Sequence, residues 1–419
     1  MKKFLILTFF ISLSGLSQTQ GYLFGLKSSD NSIENIVELE KIYSIHIPVV
    51  AFLFDQRGPE AQKMVSSLPE KLGTGRIYHL TLSPASFSAE DVAAGAYDYY
   101  YQNFFETIKK ADIKVAFRTM HEMNGGRYSR SSKPASFKKA RKHVWNLSRK
   151  AGLTQKEILF VMSVNHVDMP TFDQYPSQTS TLVSCNLTNK RTKKCPTFED
   201  YYPGSKFVDI IGITFYNRGK GNGDKLRLEP EKILYKTGRV TLPRLKNFGK
   251  PILIDEVATT AVWYKEKYSF EKSLEVYQTT HNYKNNWLIS LRNLLLREPQ
   301  ILGAVYFNKD FTNGLTNPTV GELDRKVLDL DPQKTYKNIF LLFKNGEKNI
   351  PKSLFYAFFS SQVPKKFPIP EIKPLLSSTQ KTTTVQKGKP TAPKLQTPIL
   401  IKDFGFSPYT GTLGFGRIR

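Results

Sequence analysis

Two glutamates in this chain each close a short apolar run. Glu122 lies in Phe117-Arg118-Thr119-Met120-His121-Glu122-Met123-Asn124-Gly125, and Glu256 ends Pro251-Ile252-Leu253-Ile254-Asp255-Glu256. Two carboxyl groups about 5 Å apart can share one displacement at an acetal carbon: one protonates the departing oxygen and the other attacks the carbon to form an ester. A lone glutamate at the end of an apolar run is ordinarily a solvated surface group, so the pair carries the reading and neither residue does alone. Asp255 is the rival carboxylate beside Glu256. Neighbours in a regular strand face opposite sides, so one of these two acids is expected to turn away from a common pocket. Arg118 shares strand parity with Glu122 but sits four residues earlier, which places it deeper and makes it a candidate partner for a buried carboxylate that tunes the site.

Such a pair needs a scaffold that presents both groups at one rim. The chain has 419 residues, 40% of them hydrophobic, enough for one large core. Eight short β-rich runs recur along it: Tyr22 to Leu26, Ile47 to Phe54, Ile77 to Leu82, Lys114 to Thr119, Ile158 to Val164, Val208 to Phe215, Pro251 to Asp255, and Leu302 to Phe307. Between them lie helical patterns at Tyr97 to Lys110, Ser136 to Lys150 and Asn286 to Arg297, the last with Trp287, Leu291, Leu294 and Leu295 on one face. This alternation predicts a (β/α)8 TIM barrel, whose loops at the carboxyl ends of the strands build a pocket above a packed core. The predicted domain covers 21–363. From 364 to 419 the chain changes to a low-complexity linker rich in Pro, Lys, Thr and Ser, with a short tail, read as disordered.

The string Arg118 to Gly125 resembles the strand-four signature of family 26 glycoside hydrolases, the β-mannanase family. Gly95-Ala96-Tyr97-Asp98, Val208 to Asn217 and Pro251 to Glu256 are similar to that family in order and spacing, so the resemblance spans roughly residues 21 to 330. It implies a retaining endo-β-1,4-mannanase-like enzyme that acts by double displacement without a cofactor, with Glu122 as acid/base and Glu256 as nucleophile. Two carboxyls in one partly desolvated site resist joint ionisation, so the acid is expected to stay protonated and the nucleophile charged. The resemblance also implies that His121 contacts sugar and that Tyr216 hydrogen-bonds the nucleophile. Asn124 in the same string, Asn165 with His166 at the end of strand five, and Trp263 after strand seven are the further candidates for substrate contact. The chain departs from the pattern in two places: Gly126-Arg127-Tyr128-Ser129 follows the strand-four glycine where the family commonly has a tryptophan, and strand eight ends Tyr306-Phe307-Asn308, again without one. These departures favour a differently lined pocket and keep another β-glycan (mixed-linkage glucan, xylan or exopolysaccharide) open as substrate. A non-catalytic glycan-binding envelope protein is the reading from another class.

The amino terminus, Met1-Lys2-Lys3 followed by apolar residues to about Leu16 and small polar ones to position 20, reads as a secretory signal peptide. An exported, monomeric protein is expected, secreted to the periplasm or medium or held at the cell surface, with no transmembrane segment. The two cysteines, Cys185 and Cys195, fall in one polar stretch and are expected to pair after export, closing a loop worth about 3 kcal/mol. No CxxC or HxxxH spacing suggests a metal. The net charge of +25 is spread over many segments without a nucleic-acid-binding motif, so the expected partners are a polysaccharide substrate and, for the basic surface, acidic glycan or cell envelope.

Overall fold

Eight parallel strands close into a barrel in the computed structural model: each pairs with the next in sequence, and the last pairs with the first. They are β1 (Leu23–Ser28), β2 (Val49–Phe54), β3 (Ile77–Leu82), β4 (Lys114–Arg118), β5 (Ile158–Asn165), β6 (Ile210–Asn217), β7 (Ile252–Thr259) and β8 (Ile301–Asn308). Every run expected from the sequence is a strand, with ends shifted by a few residues. The structure describes residues 19–20, 22–28, 31–54, 59–82, 88–124, 133–166, 196–217, 229–235, 240–259, 270–309, 326–343 and 347–348, with backbone alone over 270–283. All of them belong to one unit, Met1–Pro370. The expected linker and tail, the cysteines and most of the expected leader lie outside the described residues. Thr19–Gln20, inside that leader, pair antiparallel with Glu347–Lys348.

The outer layer contains helices α1 (Ile33–Tyr43), α2 (Glu60–Leu72), α3 (Ala89–Ala93), α4 (Asp98–Ala111), α5 (Pro134–Lys150), α6 (Pro230–Tyr235), α7 (Thr241–Lys246), α8 (Phe270–Arg297) and α9 (Ile339–Phe343). Helix α4 shows why these segments coil and where they pack. Its buried side chains Tyr101, Phe104, Phe105 and Ile108 recur at i, i+3, i+4 and i+7, a single stripe facing the sheet. Phe105 meets Phe117 of β4 edge-on at 5.2 Å between ring centroids, and Phe117 meets Phe160 of β5 at 5.3 Å. Because these rings occupy the outer face of β4, its alternate residues Ala116 and Arg118 point into the barrel. Helix α8 starts at Phe270 and not near Asn286 as the apolar spacing suggested; its carboxyl half carries the expected buried face of Trp287, Leu291, Leu294 and Leu295.

Inside the barrel the lower layers are apolar: Leu23, Val49, Ala51, Ile77, Ala116, Leu159, Val161, Ile210, Leu253, Leu302 and Val305. Two-residue steps along the strands lead from these to polar side chains nearer the carboxyl ends. Lys27, Thr81, Arg118 and Ser163 continue the inward faces of β1, β3, β4 and β5, and each is at most 6% exposed. A buried polar layer of this kind demands partners, and the partners define the site.

Candidate functional site

Arg118 is the hub. It is 1% exposed, and its guanidinium donates from Nε to Thr81 Oγ1 of β3 at 2.7 Å, from Nη1 to Ser163 Oγ of β5 at 3.5 Å and from Nη2 to Glu256 Oε2 of β7 at 2.9 Å. Nη1 also stands 3.5 Å from Asp255 Oδ2. One side chain therefore ties four strands together at the level where the pocket floor must lie, through hydroxyls on β3 and β5 and two carboxylates on β7.

Beyond Arg118 the chain turns over the barrel mouth. Met120 and Glu122 both adopt left-handed backbone, with φ of 50° and 52°. That region costs a side-chain-bearing residue roughly 1–2 kcal/mol, so two alternate residues hold it only where other contacts compensate. The compensation is visible: Glu122 N–H donates to the Ser163 carbonyl at 2.9 Å, and Asn124 is clamped to β5 by two bonds of 2.8 Å, its Nδ2 donating to the Asn165 carbonyl and its Oδ1 accepting from the Asn165 N–H. Asn124, expected to touch substrate, is completely buried and acts here on the loop that carries Glu122. His121 is 6% exposed, and in its protonated form it helps hold down the pKa of Glu256. The Glu122 carboxylate lies close enough to favour the charges of Lys27 and Arg118 and to disfavour that of Asp255.

On β7 the sequence expectation fails in an informative way. A regular strand would send Asp255 and Glu256 to opposite faces, yet both reach Arg118. The cause is a β-bulge. The pairing with β6 steps from Gly212↔Leu253 to Thr214↔Glu256, and the pairing with β8 steps from Ile254↔Ala304 to Val257↔Tyr306. The extra residue on β7 rotates the strand so that adjacent acids share one side. Asp255, with no side-chain exposure, lies over Gly212, where a β-carbon would sit 2.2 Å from its Oδ2; only glycine leaves it room. His79 Nε2 is 3.8 Å from the same oxygen.

The two acids feel opposite fields. Burial pushes Asp255 up to about 6 despite the neighbouring Arg118. Burial would raise Glu256 as well, but the Lys27 ammonium and the Arg118 guanidinium, with the Tyr216 hydroxyl and His121, hold it far below the usual carboxylate range. Tyr216, at the carboxyl end of β6, donates to Glu256 Oε1, while Lys27 Nζ approaches Oε2 to 3.8 Å. His79 is pushed well below the usual imidazole range by burial and by Arg118, so it is neutral at pH 7.

The structure thus brings Arg118, His121, Glu122, Tyr216 and Glu256 to one end of the barrel. Asn165 and His166 close β5 beside them; His166 is fixed through its backbone, donating to the Thr214 carbonyl at 3.1 Å and accepting from Thr241 Oγ1 at 2.7 Å. Trp263 and the pair Cys185 and Cys195 lie outside the described residues. Among the described residues no group of three His, Cys, Asp or Glu side chains could hold a metal. Sequence reasoning passed over Lys27, His79 and Thr81. A signal was present: a lysine in the apolar run Leu23-Phe24-Gly25-Leu26-Lys27 has the inward parity of Leu23, and a charge at an inward position demands a counter-charge.

Solved structures similar to this chain include GH26A from a Muricauda species (15% identity, 73% of this chain and 88% of that chain covered, TM-score 0.42), Bacillus subtilis mannanase BCman (13%, 76% and 86%, 0.40) and the GH26 domain of a Prevotella bryantii endo-β-mannanase/endo-β-glucanase (12%, 73% and 88%, 0.43). No family model and no curated protein matches the chain. The barrel stands on its own closed strand pairing.

Proposed function

We propose that the chain is an exported retaining glycoside hydrolase that cleaves a β-linked polysaccharide internally, with β-mannan as the first substrate to test. The observation that carries this reading is the environment of Glu256: a carboxylate kept ionised by two cations and a tyrosine, at the same barrel end as a second glutamate held on a strained loop. An anionic nucleophile and a separate proton donor are what double displacement needs. In the first step an oxygen of Glu256 bonds to the anomeric carbon as the bond to the leaving oxygen breaks, and Glu122 gives that oxygen its proton. In the second, water adds to the anomeric carbon and loses a proton to Glu122, while the electron pair of the ester bond returns to Glu256. Both residues end as they began.

Arg118 orients the nucleophile, and Tyr216 contributes the hydroxyl on the other carboxylate oxygen. Asp255 titrates near 6 beneath them and takes no covalent part. The choice of polymer rests on the pocket wall. Near the end of β8, Phe307 lies under the Lys27 ammonium, 4.3 Å from ring centroid to Nζ, where the related pattern has a tryptophan. That arrangement favours keeping mixed-linkage glucan, xylan and exopolysaccharide beside mannan as substrates. A reducing-end assay over β-mannan, mixed-linkage glucan and xylan tests the proposal: release from at least one polymer, lost in Glu256→Ala, supports it, and release unaffected by Glu256→Ala overturns it. Export is tested by amino-terminal sequencing of the mature protein, expected to begin near residue 21.

A further inference from the structure

Lys27 is the penultimate residue of β1, and it is all but removed from solvent at 6% exposure. Two-residue alternation from Leu23 through Gly25 turns it inward, and the pairing of Lys27 with Phe307 across β1 and β8 sets its ammonium over that ring. Among the described residues the one carboxylate it meets within 4 Å is Glu256, at 3.8 Å from Oε2, the oxygen that also receives Arg118 at 2.9 Å. Tyr216 holds the other oxygen. Burying an ammonium is costly, and a cation placed here is a specific demand of the site more than of the fold, since Arg118 alone already ties β7 to the strands around it.

We propose that Lys27 is a positioning residue for the nucleophile: it anchors Oε2 of Glu256 and favours the return of the carboxylate when the covalent intermediate breaks. The second half of this statement rests on the hydrolase reading above; the first half does not. In the first step Glu256 loses its charge to the new ester bond, and Lys27 and Arg118 are left facing a neutral group. In the second step water attacks the anomeric carbon, the ester bond breaks toward Glu256, and the re-formed anion meets two cations already in place. A cation at this position therefore opposes formation of the intermediate slightly and speeds its breakdown. The other groups facing this pair are Asp255 on β7, His79 on β3, His121 and Glu122 beyond β4, and Lys309 after β8; burial first, and then Arg118 and Lys309, weaken the hold of Lys27 on its own proton, against the pull of Glu256.

The test has one arm that needs no substrate. In protein labelled with 13C at glutamate carboxyls, the Glu256 resonance is identified by its loss in Glu256→Gln, and its titration is followed in wild type, Lys27→Met, Lys27→Gln and Lys27→Arg. An opposite charge at this separation moves a carboxyl midpoint by about 1–3 pH units. The midpoint should rise by that amount in the Met and Gln variants and return toward wild type in the Arg variant. An unchanged midpoint in whichever of Met or Gln folds would overturn the proposal, because it would mean that Lys27 is uncharged or too distant to matter. The second arm takes the polymer that wild type cleaves and measures, by intact-protein mass, the fraction of chain carrying sugar at steady state. That fraction should increase in Lys27→Met and the acid limb of kcat/KM should move to higher pH. If wild type cleaves no polymer while the titration shifts as expected, the hydrolase reading fails and the anchoring role stands; if wild type cleaves a polymer and Lys27→Met changes neither fraction nor acid limb, the proposal for Lys27 fails alone.

Discussion

Replacing Arg118 with glutamine should destabilise the protein in a way that depends on pH, and the size and sign of that dependence follow from the site. Arg118 is buried and serves two carboxylates, Asp255 and Glu256. Removing one partner of a buried ion pair costs about 3–5 kcal/mol, because the remaining charge is left without compensation. The two acids respond differently. Asp255, raised by burial to about 6 even beside Arg118, rises further without it. A carboxyl whose folded pKa exceeds its unfolded value contributes stability at low pH that is lost as pH rises through the folded pKa. In wild type this loss is complete a little above 6; in the variant it continues into the neutral range, at up to about 1.4 kcal/mol per pH unit. Glu256 has the opposite sign: its folded pKa is depressed, so its ionised form contributes stability above the ordinary glutamate range, and part of that contribution disappears at every pH above it when Arg118 is removed. The deficit of Arg118→Gln should therefore be present at pH 5 and grow between pH 6 and 8. Urea unfolding at pH 5, 6, 7 and 8, followed by the fluorescence of the buried Trp287, measures it. Adding Asp255→Asn should flatten the pH dependence and leave the constant part. A deficit below about 1 kcal/mol, the scale of a surface pair, or one that does not change between pH 6 and 8, would refute the reasoning.

Three further substitutions probe single contacts. Tyr216→Phe removes the hydroxyl on Glu256 Oε1; a hydrogen bond to a charged group is worth about 1.5–3 kcal/mol, so kcat/KM should fall on the order of 10- to 100-fold, with the acid limb moved to higher pH, in a steady-state pH profile. Gly212→Ala inserts a methyl against Asp255 and should lower stability by about 1–3 kcal/mol in thermal or urea unfolding, with partial recovery in Gly212→Ala/Asp255→Ser; full stability of the single variant would place Asp255 elsewhere. Asn124→Ala removes both bonds to the half-buried backbone of Asn165, costing about 1–3 kcal/mol for the two, and should lower kcat more than it changes KM because the loop bearing Glu122 loses its clamp.

Much of this architecture was legible in the residues. The strands announced themselves as short β-branched runs at barrel spacing, and α4 and α5 by their apolar stripes. Glu122 was placed beyond the end of strand four and Arg118 by its parity, whereas Glu256, expected to close its run, lies within a strand that continues to Thr259. What was not legible depends on relations between strands. The bulge that sends Asp255 and Glu256 to one side arises from the register of β7 against both neighbours, and nothing in Ile254-Asp255-Glu256-Val257 marks it. Gly212 could not be read as the seat of a carboxylate from another strand. Lys27 was visible as a charge of inward parity, but its partner lies on β7, two strands away once β8 closes the barrel against β1, so its meaning waited on closure of the sheet. Asn124 drew attention by its place in the motif, but its two bonds to β5 were not legible. The onset of α8 at Phe270 was missed because the apolar stripe is clear only from Trp287 onward.

The central claim is that Glu256 is the group that bonds to sugar, and chemical rescue tests it most directly. Glu256→Ala should fold as wild type and lose turnover on whichever polymer wild type cleaves; with sodium azide and a 2,4-dinitrophenyl glycoside of that sugar, it should release an α-configured glycosyl azide, because azide occupies the face the carboxylate left. Turnover by Glu256→Ala without azide, at the wild-type rate, would contradict the account.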